Sequence, residues 1–220
     1  MTAWCVRRRQ ASEMEMPTTA RHRGGMVCSR RRSSRAAWPS SAPGSVVTGF
    51  TLTDQDGRTV SLAGLRGRPV VLEFMDPHCT DICPIVSAEF LDAYRDLGAS
   101  GARVVLLAIN VNPYYRSVTD MAAYSQEHQL TSIPSWHFLT GTLASLREAW
   151  QAYDVAVQAP SRNADVIHTS VIYFIDASGR ERFVAAPMDD HTAAGAAYLP
   201  AGQLTDWGHG IALVARQLRS

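Results

Sequence analysis

With 220 residues, 46% of them apolar, the chain is long enough for one well-filled domain and a tail, and too short for two domains of ordinary size. The formal net charge of +1 is unevenly spread, because residues 1–45 hold nine arginines against two glutamates while the remainder holds 12 arginines and 18 acids. A mildly acidic body without a basic stripe excludes a nucleic-acid surface, and the longest apolar run, Val104 to Ile109, is far short of the ~20 residues of a spanning helix.

Residues 1–45 are rich in Arg and Ser and poor in acids, a composition that cannot offset its ordering entropy, so this tail is expected to be disordered. It carries no recognisable signal peptide or transmembrane segment. Arg30-Arg31-Arg32 is followed by Ser33-Ser34-Arg35, where a twin-arginine signal needs apolar residues. Cys5 and Cys28 lie in this tail and receive no role. Pro39 to Ser45 reads as a Pro/Ser/Gly linker, which places the folded domain at 46–220.

Phe50-Thr51-Leu52 and Thr59-Val60-Ser61-Leu62 alternate with period two around Asp54-Gln55-Asp56-Gly57 and predict a β-hairpin. Val70 to Phe74 reads as a buried strand. From Pro84 the period turns helical, with Ile85, Val86, Phe90, Leu91, Tyr94 and Leu97 on one face and Gly98 as the stop. A second buried strand is expected at 104–111, a helix at 119–128, a short strand at 136–139 and a helix at 143–153. Val171 to Ile175 and Arg182 to Ala185 predict two strands around an Asp176-Ala177-Ser178-Gly179 turn, and Leu204 to Leu218 a closing amphipathic helix. Strands that alternate with helices and end in a hairpin plus helix indicate an α/β fold, a central mixed sheet flanked by helices. The connection 158–167 is long enough to carry function.

The chemistry concentrates in Glu73-Phe74-Met75-Asp76-Pro77-His78-Cys79-Thr80-Asp81-Ile82-Cys83-Pro84, between a buried strand and a helix start. Sites assemble at that carboxyl edge of a parallel sheet. Cys79 and Cys83 are four apart, so a helical turn puts both sulfurs on one side, and unpaired N–H groups at a helix start favour thiolates. Two such cysteines can close a disulfide, grip a soft metal, or be buried structural residues. His168, taken alone, is ordinarily a satisfied polar residue at a strand start.

Cys79-Thr80-Asp81-Ile82-Cys83-Pro84 resembles the Cys-x-x-x-Cys-Pro signature of the Sco/SenC family. Trp136 to Thr142 is similar to that family's Leu-Thr-Gly segment, and His168 to Asp176 resembles its histidine followed by a strand and an Asp-x-x-Gly turn. The resemblance covers residues 48–186 and implies a thioredoxin-like fold, extracytoplasmic or membrane-associated localisation, and a copper-binding metallochaperone. By the same resemblance Cys79, Cys83 and His168 would hold Cu(I) or Cu(II). The expected receiver is a cuproenzyme such as a cytochrome c oxidase subunit, served by copper delivery or by reduction of its cysteines, and the chain is expected to be a monomer. Asp81 and Asp165 are expected to support the ligands. The segment Asn110-Val111-Asn112-Pro113-Tyr114-Tyr115-Arg116 lacks the acidic residue that family members carry before the proline, so partner recognition is expected to differ.

Two alternatives stay open. One is a thiol–disulfide oxidoreductase with Cys79 and Cys83 as its redox pair. The other is a peroxiredoxin-like peroxidase, since Thr80 stands three before Cys83, although the proline is at 77 and not at 76. His78, His128, His137, His191, His209, Met75 and Met188 are expected to be surface or core residues, with His78 the best additional copper contact among them. A zinc site is disfavoured because only three convincing ligands are visible.

Overall fold

A computed structural model describes Arg7–Arg8 and residues 49–218. The expectation of a disordered tail over 1–45, and Cys5 and Cys28 with it, lies outside the described residues except at Arg7–Arg8. There the backbone forms β1, an edge strand opposite Val184 and Phe183.

The first expected hairpin is β2 (Thr51–Thr53) with β3 (Thr59–Ser61). The two central strands, β4 (Val70–Met75) and β5 (Val105–Asn110), are buried at all six positions, as near-continuous apolar runs are when both sheet faces are covered. Helix α1 (Ile82–Leu97) follows β4, and α2 (Val118–Glu127) follows β5, opened by a capping box between Ser117 and Asp120. Next come β6 (Trp136–Leu139) and α3 (Leu143–Ala152), whose N-cap Thr142 accepts from the Ser145 N–H. Two-residue strands β7 (Val157–Gln158) and β8 (Ile167–His168) form a small ribbon. The order then runs β9 (Ile172–Ile175), β10 (Glu181–Ala185), the ribbon β11 (Asp190–His191) with β12 (Ala197–Tyr198), and α4 (Ala201–Gln217).

The main sheet has the order β1-β10-β9-β4-β5-β6. β4, β5 and β6 are parallel, and β9 runs antiparallel to both β4 and β10. This is the expected mixed sheet. Val70, Leu72 and Phe74 point to a core shared with α3 and the β2–β3 hairpin; Val71 and Met75 point to one shared with α1 and α4. The period of two therefore puts Glu73 on the α1 side. Helix α1 ends as predicted at Gly98, whose N–H bonds the Tyr94 and Arg95 carbonyls at φ +54°. Among the described residues no helix is long and apolar enough to cross a membrane.

Candidate functional site

The strand–helix junction after β4 builds the site. Cys79 lies in the loop ahead of α1, its N–H bonded to the Asp76 carbonyl at 3.1 Å, and Cys83 lies in the first helical turn. Their sulfurs fall on one side and meet, as the spacing predicted, although Cys79 itself precedes the helix. The Cys79 sulfur accepts the Asp81 N–H at 3.4 Å and the Cys83 N–H at 3.5 Å. It thereby caps a helix start to which the Asp81 side chain gives no capping hydrogen bond. Both thiols are free.

The pair shares its protons unequally. The Cys83 S–H donates to the Cys79 sulfur and, with the backbone donors, holds the Cys79 thiol down at about 7 against its own partial burial. Cys83 is pushed well above the ordinary thiol range by that same hydrogen bond and by its burial. At pH 7 about half of the chains thus carry a thiolate at Cys79, while Cys83 stays a thiol.

Cys79 opens onto a cavity of about 770 Å³ whose wall includes Asp76, His78, Asp81, Asp165 and His168. His168 is carried there by β8. Its Nδ1–H donates to the Thr169 carbonyl at 3.0 Å, which leaves the Nε2 lone pair to serve as ligand or base. Desolvation by burial lowers its pKa and keeps the ring neutral. The structure thus brings Cys79 and His168 to one cavity, with Cys83 buried behind Cys79. The three donor atoms are not drawn into a closed cluster: among the described residues, the one set of three or more His, Cys, Asp or Glu donors within 4.8 Å of one another is Asp81, Asp189 and His191.

Asp165 lines the cavity, and Asp81 supports Cys79 through its backbone and turns its carboxylate to His191. The ring of His78 stacks on Tyr115 with centroids 3.8 Å apart, and Arg162 lies over the same Tyr115 ring at 4.7 Å. Tyr114 Oη donates to the Ala159 carbonyl, so the cysteine loop and the 158–167 connection share one anchorage. The Asn110–Arg116 segment is internally bonded: the Asn112 side-chain oxygen accepts the Tyr114 and Tyr115 N–H groups, and its amide donates to buried Asp76 at 2.9 Å. Of the remaining candidates, Met75 is core and Met188 is exposed; His137 pairs with Asp54, His128 packs on Tyr124, and His209 pairs with Asp96.

The sequence reading passed over three acids. Asp76 accepts the His78 N–H and the Asn112 amide, fixing the turn before Cys79. Glu73 accepts the Ser170 hydroxyl at 3.2 Å, and burial pushes it up to about 8. Glu89 of α1 has both carboxyl oxygens buried without a hydrogen-bond partner, and burial pushes it up to about 9. An acid inside the apolar run of β4 was the visible signal for the first of this pair.

A mixed-sheet α/β domain with two neighbouring thiols at a strand–helix junction, and an imidazole on the same cavity wall, defines the class: a protein of thioredoxin-like fold. The family model described as SCO1/SenC matches residues 39–197, and the chain belongs to that family. A SCO1 protein homolog of Bacillus subtilis (strain 168) is 30% identical over 133 residues, 60% of this chain and 68% of the relative. Bradyrhizobium japonicum ScoI, solved with copper bound, superimposes with a TM-score of 0.62 at 25% identity, over 79% of this chain and 99% of that one. BsSco, described as a Sco-family cytochrome c oxidase assembly protein with a disulfide switch, gives a TM-score of 0.55 at 26% identity over 67% and 86% of the two chains. A chloroplastic peroxiredoxin Q of Oryza sativa subsp. japonica is 36% identical over 102 residues, but these span only 40% of this chain and 47% of that protein.

Proposed function

We propose that this chain carries one copper ion as cargo on Cys79, Cys83 and His168 and passes it to a copper-receiving protein such as a cytochrome c oxidase subunit. The observation that carries the reading is a pair of adjacent free thiols whose Cys79 sulfur faces the same cavity as the His168 imidazole, with Nδ1 of that ring already bonded and Nε2 left to bind. Two sulfurs suit Cu(I), and an added imidazole extends the donor set to Cu(II). Closing the three donors on one ion requires His168 to move toward the sulfurs, because the three donor atoms do not all lie within 4.8 Å of one another in this structure. The copper-bound state of Bradyrhizobium ScoI and the place of BsSco among cytochrome c oxidase assembly proteins support the same reading. We expect a monomer acting at a membrane surface outside the cytoplasm.

Anaerobic copper titration of the reduced, metal-free chain tests it. One ion per chain with a visible sulfur-to-copper absorption band is expected for Cu(II), lost in Cys79→Ala, Cys83→Ala and His168→Ala. Copper binding by His168→Ala as tight as in the unmodified chain overturns the three-ligand set.

The low-pKa Cys79 thiol also favours a second reading, thiol–disulfide exchange in which Cys79 attacks and Cys83 resolves. Turnover with a protein disulfide in metal-free solution supports that reading, and inertness removes it. For a peroxidase, Cys83 would be the attacking residue, and it is the buried, high-pKa member of the pair. Absence of peroxide consumption is therefore expected.

A further inference from the structure

We propose that Asp81, Asp189 and His191 form a second cation site, for a divalent ion of the Cu(II) or Zn(II) kind, at the mouth of the cavity that holds Cys79. His191 Nε2 lies 3.3 Å from Asp81 Oδ1 and 3.5 Å from Asp189 Oδ2, and all three donor atoms fall within 4.8 Å of one another. These separations are longer than those of a good charge-assisted hydrogen bond, about 2.7–2.9 Å. The two separations from the imidazole match a ligand shell, in which donors about 2.1 Å from a tetrahedral ion stand about 3.4 Å apart. One imidazole and two carboxylates are also the mixed nitrogen and oxygen donors that borderline divalent ions take.

The surrounding charges agree. Among the described residues neither Asp81 nor Asp189 makes an ion pair with arginine, so the imidazole faces two carboxylates with nothing else to neutralise them. The same side-chain types meet at His209 and Asp96, but there Arg216 already pairs with the single acid, which leaves no excess negative charge for a cation. The site is also held in place. His191 sits on β11, and the β11–β12 ribbon is closed by a turn in which Thr192 accepts the Gly195 N–H and Gly195 takes φ +83°. Residues 194–197 of that ribbon line the same cavity as Cys79 and His168.

All three side chains reach solvent, at 57%, 27% and 49% exposure for Asp81, Asp189 and His191. Water therefore completes the coordination, and the ion exchanges readily. Asp81 joins the two sites, because its carboxylate would hold this ion while its N–H holds the Cys79 sulfur. The role that follows is to gather a cation from solution beside the dithiol. The proposal does not depend on copper binding at the cysteines.

The test uses the full chain carrying Cys79→Ser, Cys83→Ser and His168→Ala, titrated with Cu(II) and followed by calorimetry and electron paramagnetic resonance. One Cu(II) per chain with coupling to a single imidazole nitrogen is expected. Adding His191→Ala should abolish that ion at the same concentrations, Asp189→Asn should weaken it at least tenfold, and His209→Ala should leave it unchanged. Undiminished binding with His191→Ala overturns the proposal. Should the triple substitution unfold the chain, the unsubstituted chain with Cys79 and Cys83 oxidised to a disulfide gives the same decision by NMR. Substoichiometric Cu(II) must then broaden the His191 ring before the His209 ring, and equal broadening of the two overturns the assignment. None of these outcomes bears on the sulfur-to-copper band that tests the dithiol reading.

Discussion

Replacing Cys83 with alanine tests why Cys79 is half ionised at neutral pH. The Cys83 S–H is the largest influence holding Cys79 at about 7, so its removal should return Cys79 toward the ordinary 9.0. At pH 7 the ionised fraction then falls from about one half to about 1%, roughly 50-fold. A more basic thiolate is the better nucleophile, and a Brønsted slope of about 0.4–0.5 over two units returns about eightfold. Alkylation of Cys79 in Cys83→Ala should therefore slow only about sixfold at pH 7, yet exceed the unmodified chain by about eightfold above pH 10. The assay is iodoacetamide labelling of the metal-free chain across pH 5–11, read at Cys79 by peptide mass spectrometry so that Cys5 and Cys28 do not interfere. A midpoint that stays near 7 in Cys83→Ala refutes the proton-sharing argument and assigns the low pKa to the backbone donors alone.

The same pair should shape stability against pH. Relative to ordinary thiols it holds fewer protons when folded between about 7 and 9 and more above that, because Cys79 is depressed and Cys83 raised. Stability contributed by the pair thus rises from pH 7 to 9 and falls beyond it, and thermal melts of the reduced chain that show no such maximum relative to Cys79→Ser/Cys83→Ser would contradict it. Glu89→Gln removes a buried acid whose folded pKa is raised from 4.5 to about 9, a group whose stabilising share is complete below 4.5 and lost as pH rises. At pH 7 the glutamine form should gain about 3 kcal/mol, or about 6–12 °C in Tm. An equal gain at pH 4 would disprove ionisation as the cause. Gly208→Ala places a Cβ 2.5 Å from that of Asp92 and 3.1 Å from the Ala93 nitrogen where α4 crosses α1. A loss of about 1–3 kcal/mol in urea unfolding is expected, and an unchanged midpoint would show that the helices separate freely.

The architecture was legible wherever burial and period agree. The apolar runs of β4 and β5, the 3.6-residue stripe of α1 with its Gly98 stop, and the hairpin around Asp54–Gly57 all form within a residue or two of expectation. The two-residue strands β7, β8, β11 and β12 were not legible, because so short a pairing is decided by where the main sheet leaves its loops. The same limit applied to the site. Cysteine spacing and the residues after His168 pointed to one cavity, but His191 follows Asp189 and Asp190 in a stretch with no periodicity, and only the ribbon brings it to Asp81. Glu89 was hidden differently: a charged residue within an amphipathic helix reads as solvent-facing, and here the α1 face that carries it turns inward over Glu73.

The contacts of His78 and of Arg162 with one Tyr115 ring tie the cysteine loop to the approach to His168. Loosening the tyrosine should free both at once, so amide exchange around Cys79 and around Ile167 should quicken together in Tyr115→Ala, although nearly ninety residues of chain lie between them. A receiving protein that pried at either strap would thereby slacken the grip on whatever the cavity holds.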